Sequence, residues 1–250
     1  MTSPKAPRIH VLAGVNGAGK SSIGGATLRA FGADYYNPDE VARKLIATKP
    51  QLNQEQANSM AWLQGKRLLE RAIAKRLHFA FETTLGATTI PTLLAKAAAS
   101  GFEIHMWYVG LSSPELHIRR VRARVRKGGH DIAEADIRRR YDHSRMNLIQ
   151  LLPALTTLRI YDNSDEADPA AGKTPVPTLL LDMQRGKIIA PKDLWQTQDW
   201  AKPIVAAALV SDGRGTMRNT GSTSRGGSSV VIGWLLKYKI MVFCSYGPAV

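Results

Sequence analysis

The chain has 250 residues, 44% apolar and 22% charged, a balance that suits a globular protein with one sizeable core. Its single cysteine, Cys244, excludes an internal disulfide framework, and no Cys/His spacing suits zinc. A formal charge of +14 calls for a polyanionic partner, either nucleic acid or a nucleotide with a phosphorylated substrate.

In chain order, the N-terminal MTSPKAPR leads into a strand-like run (Ile9, Val11, Leu12, Ala13) without an apolar signal core, so a cytoplasmic protein is expected. The run ends in Gly14, Val15, Asn16, Gly17, Ala18, Gly19, Lys20 and Ser21, which fit G-x-x-x-x-G-K-[ST] without a mismatch, and Ser22 follows. Glycines let such a loop turn its backbone N–H groups inward, and the next helix opens with unpaired N–H groups and a positive dipole end. Lys20 supplies a point charge to the β- and γ-phosphates, and Ser21 offers its hydroxyl to Mg²⁺. Residues 14–22 are therefore expected to bind ATP with Mg²⁺, with residues 21–31 continuing as a helix.

Residues 33–36 read as a short second strand, followed by Asn37 as a helix cap, Pro38 at the first helical position, and Asp39 and Glu40 at the positive end. Asp39 has two readings at this stage. It is a good first-turn residue, and it is also a carboxylate at a strand end beside the phosphate loop, where it can accept a proton. Residues 51–76 carry apolar side chains at helical spacing, and Trp62 reads as packing. Residues 78–82 form a strand ending in Glu82. Ligands of open α/β sheets collect beyond the carboxyl ends of strands, which places Glu82 and Thr84 for substrate or metal contact. The competing reading makes Glu82 a cap for the helix that begins near Thr88.

An Ala-rich helix over 89–100 and a β-prone strand over 103–111 come next. Between 119 and 145 the chain holds ten Lys/Arg, nine of them Arg, against four acids. Two Arg-rich helices joined at Gly128, Gly129 and His130 suit a lid that folds over phosphates; the bland alternative is a solvated charged hairpin. The excess of Arg over Lys leans toward bidentate phosphate recognition. Residues 158–161 read as the last core strand, 179–189 as a hairpin turning at Arg185 and Gly186, and a short helix closes the domain near Leu209. From Ser211 the composition turns linker-like, then apolar over 230–246, where Lys237 and Lys239 and a length of about 17 residues argue against a membrane span. The expected organisation is one domain over 1–210, with 211–250 outside it. Its class is α/β, a doubly wound, mainly parallel sheet of P-loop kinase type with an arginine-rich helical lid.

The series GVNGAGKSS, NPDEVARKL, FETTL and RVRARVRKGGHDI, with IRRRY and NL beyond, resembles the zeta toxin family in order and spacing over roughly residues 8–165. That resemblance implies an ATP-dependent kinase whose acceptor is a sugar hydroxyl of UDP-N-acetylglucosamine. It matches Asp39 to the catalytic base, Lys20 to the phosphate-loop lysine, and Glu82 and Thr84 to the substrate-holding carboxylate and hydroxyl. Arg124 and Arg140 match the two lid arginines that contact triphosphate, with Arg120 and Arg139 as neighbouring alternatives. A small antitoxin protein is the partner the resemblance brings with it. Open alternatives are a kinase of another nucleotide, sugar or polynucleotide end, and a non-catalytic nucleotide or nucleic-acid binder.

Overall fold

Strands buried on both faces need apolar residues at successive positions, and β1 (Arg8–Ala13) has them: Ile9, Val11, Leu12 and Ala13 are wholly inaccessible. A computed structural model, which describes residues 5–25, 35–165, 176–194 and 196–213, puts β1 inside a seven-stranded sheet of order β2-β3-β1-β4-β5-β6-β7. The other strands are β2 (Tyr35–Tyr36), β3 (Phe79–Thr83), β4 (Glu103–Gly110), β5 (Thr157–Asp162), β6 (Thr178–Gln184) and β7 (Lys187–Ala190). β1 to β5 run parallel; β6 returns antiparallel to β5, and β7 antiparallel to β6. The chain fills one side of β1 with β2 at the edge and β3 between, and then the other side with β4 to β7, the doubly wound arrangement expected from the sequence. Arg185 and Gly186 form the hairpin turn with left-handed φ values of 47° and 77°.

Helices α1 (Pro38–Thr48), α2 (Gln54–Ala74), α3 (Thr89–Ala99), α4 (Pro114–Val125), α5 (Glu134–Leu151) and α6 (Lys202–Ser211) complete the layers, and a π-helical turn (Ser21–Gly25) follows the glycine-rich loop. Local chemistry sets their starts. Asn53 and Gln56 form a reciprocal capping box on α2, and Ser113 caps α4 with Pro114 at its first position. One core joins Ile9, Val11 and Ala13 of β1 to Leu69 of α2, Leu94 of α3, Leu148 of α5 and Ile204 of α6. Among the described residues no helix is long and apolar enough to cross a membrane.

Several expectations fall outside the described residues: the helix continuing past Gly25, the first half of the second strand at 33–34, and the tail from 214 onward with Cys244. α6, which runs to Ser211, packs into the core through Ile204, Ala207 and Ala208. Trp200, just before it, is 4% exposed, packs against Gly110 and Tyr108 at the end of β4, and donates from Nε1 to Asp162 Oδ1 (2.8 Å). Trp200→Ala is expected to lower unfolding free energy by about 3–5 kcal/mol in a urea titration, the cost of a large buried cavity.

Candidate functional site

Parallel strands in register end together. Ala13 lies opposite Thr83 and Tyr108, and Gly110 opposite Asp162, so the loops after β1, β3, β4 and β5 meet at one edge of the sheet. The glycine-rich loop occupies the middle of that edge and is tied on several sides. Gly14 N donates to Thr83 O (3.2 Å), and Asn163 Nδ2, just beyond β5, donates to Ala18 O (2.9 Å). From α4, the His117 ring meets Asn16 O through Nδ1 at 2.8 Å; because a carbonyl only accepts, that nitrogen carries the proton. Gly19 has a φ of 86°, and a Cβ there would lie 2.5 Å from Asn163 Nδ2, so glycine is required for both conformation and space.

Glu82, at the end of β3, is 7% exposed and collects four donors. Lys20 Nζ is 3.3 Å from Oε1, while Ser21 Oγ (3.2 Å), Tyr35 OH (2.7 Å) and Asn37 Nδ2 (3.1 Å) all converge on Oε2. Lys20 also reaches Val15 O at 3.4 Å. Burial of a full charge is tolerated here because each oxygen is paired. The reading of Glu82 as a helix cap is overturned: α3 begins after Thr88, without a side-chain cap, and Glu82 stays in its strand. Thr84 lies one residue beyond β3, next to Leu85, whose carbonyl is held by Asn147 Nδ2 (2.7 Å). No hydrogen bond among the described residues joins the Thr84 side chain to the Lys20–Glu82 cluster. The Ser22 side chain is outside the described part.

Asp39 is the second residue of α1, but the capping belongs to Asn37, whose Oδ1 accepts from the N–H of Asp39 (2.9 Å) and Glu40 (3.2 Å). The Asp39 carboxylate, about a third exposed, faces the lid instead. Arg124 Nη1 lies 3.8 Å from Oδ2, and His130 Nε2 lies 3.9 Å from Oδ1. Arg140 Nη1, from α5, donates to Asn16 Oδ1 in the phosphate loop (2.8 Å). These are the two lid arginines singled out from the sequence, and they are turned toward the loop side. Others are engaged elsewhere: Arg122 with Glu134, Arg138 with Glu115, Arg139 with Asp136, and Arg120 with Asp165 O. Arg124 Nε is buried and has no hydrogen-bond partner among the described residues, which leaves its guanidinium with a donor to give.

Sequence reasoning missed His117, Asn163, Tyr35 and the second role of Asn37. Each is brought in by strand order or by helix packing, and none has a local pattern of its own. Oxygen donors suited to a hard cation meet at Ser21 and Glu82, although no group of three or more His, Cys, Asp or Glu among the described residues could hold a metal by itself.

His117 is almost wholly buried, and burial pushes its pKa from the ordinary 6.5 down to about 4. The unfolded chain therefore binds this proton first as the pH falls, so stability is expected to drop between pH 6.5 and about 4. Over that window the wild type should lose up to about 3 kcal/mol more than His117→Asn, measured by urea unfolding at a series of pH values. Parallel pH profiles for the two proteins would remove His117 as the cause.

The family model described as Zeta toxin matches residues 1–170. Among curated relatives, an uncharacterized protein of Haemophilus influenzae is 33% identical over 132 residues, covering 51% of this chain and 88% of that one. Among solved structures, the complex of AvrRxo1-ORF1 with AvrRxo1-ORF2 and ATP aligns with a TM-score of 0.60 at 12% identity, over 86% of this chain. The alignment covers 66% of that chain, just under two thirds of its length. The same complex with sulphate ions aligns with a TM-score of 0.57 at 11% identity, over 83% of this chain and 76% of that chain. At such identities the likeness is one of fold. The family match covers well over half of the sequence and includes the phosphate loop, Asp39, Glu82 and both lid arginines, so the chain belongs to the zeta toxin family.

Proposed function

We propose that this protein transfers the γ-phosphoryl group of ATP to a hydroxyl of a nucleotide sugar such as UDP-N-acetylglucosamine. Family membership and the P-loop kinase fold support a nucleotide-binding kinase. The observation that supports transfer over mere binding is Asp39, a carboxylate relieved of capping by Asn37 and set opposite the lid arginine Arg124 at 3.8 Å; the acceptor class rests on the family resemblance. Binding ATP alone needs no such group.

In the proposed step Asp39 accepts the proton of the acceptor hydroxyl while that oxygen bonds to the γ-phosphorus. The bond from γ-phosphorus to the β–γ bridging oxygen breaks, and ADP leaves with the electron pair. Lys20, Arg124 and Arg140 offset the charge on the transferred group and the leaving oxygen; such cationic contacts contribute on the order of 10³ to 10⁵-fold. Lys20 would exchange its ion pair with Glu82 for phosphate oxygens. Ser21 and Glu82 would hold Mg²⁺, which neutralises charge on the β- and γ-phosphates when bound. In this reading Glu82, bonded to Ser21, stands on the metal side in place of the substrate role that the resemblance implies, and Thr84 keeps the substrate role. The family name and the second protein crystallised with AvrRxo1-ORF1 support a small antitoxin as partner. Several lid arginines are engaged in internal ion pairs, which weakens the case for a broad nucleic-acid face.

The deciding experiment incubates the protein with ATP·Mg²⁺ and UDP-N-acetylglucosamine, other nucleotide sugars, nucleosides and DNA ends, and reads products by mass spectrometry. Phosphorylated nucleotide sugar is the expected product; transfer to DNA ends alone would replace the acceptor class. Asp39→Asn should cut single-turnover transfer by roughly two to four orders of magnitude while calorimetry finds ATP affinity preserved. Lys20→Ala is a less clean probe, because it also takes a partner from buried Glu82 and should cost stability. Arg124→Lys and Arg140→Lys keep the charge but lose the planar fork, and each should transfer well below wild type. Equal rates in both Lys variants would return the cluster to a solvated face.

A further inference from the structure

The two oxygens of Asp39 have different neighbours. Oδ2 faces Arg124, a cation with an unused buried donor and, in the proposed reaction, phosphate to bind. Oδ1 faces the imidazole of His130, whose side chain is only 9% exposed. The lid turn fixes the His130 backbone from behind. Arg124 Nη2 donates to the carbonyl of His130 (3.1 Å), and Gly129 N donates to Arg124 O (3.0 Å). A Cβ on Gly129 would lie 2.7 Å from Arg124 Cγ and 3.0 Å from Arg124 O, so the turn can wrap this closely around the arginine only with glycine at that position. One guanidinium thus links the His130 backbone to the carboxylate that the His130 ring approaches.

We propose that His130 is a positioning residue for Asp39: its Nε2–H holds Oδ1, so that when Arg124 turns to phosphate, Oδ2 is released to take the acceptor's proton. This rests on the reading of Asp39 as proton acceptor. An approach of about 1 Å converts the present 3.9 Å into a hydrogen bond, and such contacts commonly tighten only when substrates are bound. A neutral ring suits the task, because it orients the carboxylate without forming an ion pair that would weaken it as a base. Burial does lower the pKa of His130, with Arg124 and Arg43 acting in the same direction and Asp39 and Asp131 opposing them.

Two measurements test this. The first needs no acceptor: the His130 ring is titrated by NMR in the wild type and in Asp39→Asn. Loss of the facing charge should lower the His130 pKa by about half a pH unit or more; an unchanged titration shows that ring and carboxylate do not interact and overturns the proposal. The second compares His130→Ala with His130→Gln, whose amide nitrogen sits near the place of Nε2, using ATP·Mg²⁺ with UDP-N-acetylglucosamine as acceptor. His130→Ala should lose about tenfold to a hundredfold in kcat while ATP affinity by calorimetry stays within about twofold, and His130→Gln should recover much of the rate. Wild-type kcat in His130→Ala, or an equal loss of ATP affinity in both variants, would overturn the positioning role. If the wild type itself transfers nothing to any acceptor of the wider panel, the kinase reading fails, and the NMR titration still decides whether His130 and Asp39 are coupled.

Discussion

A carboxylate taken almost wholly out of water has to be surrounded by donors, and Glu82 draws four of them from distant parts of the chain. Lys20 and Ser21 come from the phosphate loop and the turn after it, Tyr35 from β2, and Asn37 from the cap of α1. The arrangement places the loop lysine, the loop serine and the start of α1 relative to one another. Asp39 stands two residues after Asn37, so its position is inherited from the same network. Loss of any one donor leaves charge unbalanced in a site that water barely reaches, where such losses weigh most.

The phosphate loop is held just as closely from its other side. His117 and Asn163 each fix one of its carbonyls, and Arg140 fixes the side chain of Asn16. Holding the carbonyls outward is how a loop of this kind keeps N–H groups turned toward a phosphate. It also explains why a neutral, fully buried histidine is tolerated on α4, an otherwise arginine-rich helix: its Nδ1–H has a carbonyl to bind, and Tyr141 meets its ring edge-on at 5.7 Å. Arg122 and Arg138 pair across the two lid helices with Glu134 and Glu115, and Arg139 and Arg145 pair within α5 with Asp136 and Asp142. Arg124 faces Asp39, and Arg140, which also lies 3.7 Å from Asp136, reaches Asn16 in the loop.

The elements were largely legible in the sequence because their signals are local. The loop motif, the Asn-Pro-Asp-Glu start of α1, the Ser-Pro start of α4, the helical spacing along α2 and the Arg-Gly hairpin turn each depend on residues within a few positions of one another. Parallel order followed from alternation of strand and helix with apolar strands. Choosing Arg124 and Arg140 out of nine lid arginines needed a family pattern as well, since charge and spacing alone do not distinguish an arginine paired with a glutamate on the next helix from one turned toward the loop.

By itself, the sequence determined that a phosphate-binding loop follows the first strand, that a carboxylate ends the third, and that two basic helices meet at a Gly-Gly turn. Only the tertiary structure decided what those groups touch. That Glu82 bonds Lys20 and Ser21 instead of capping a helix, that Asn37 relieves Asp39 of capping, and that His117, His130 and Asn163 belong to the site all depend on strand order and helix docking. The physical reason is range. A cap or a turn is settled over three or four residues, whereas a buried charge is satisfied by whichever donors folding brings within about 3 Å, here from residues tens of positions apart in the chain.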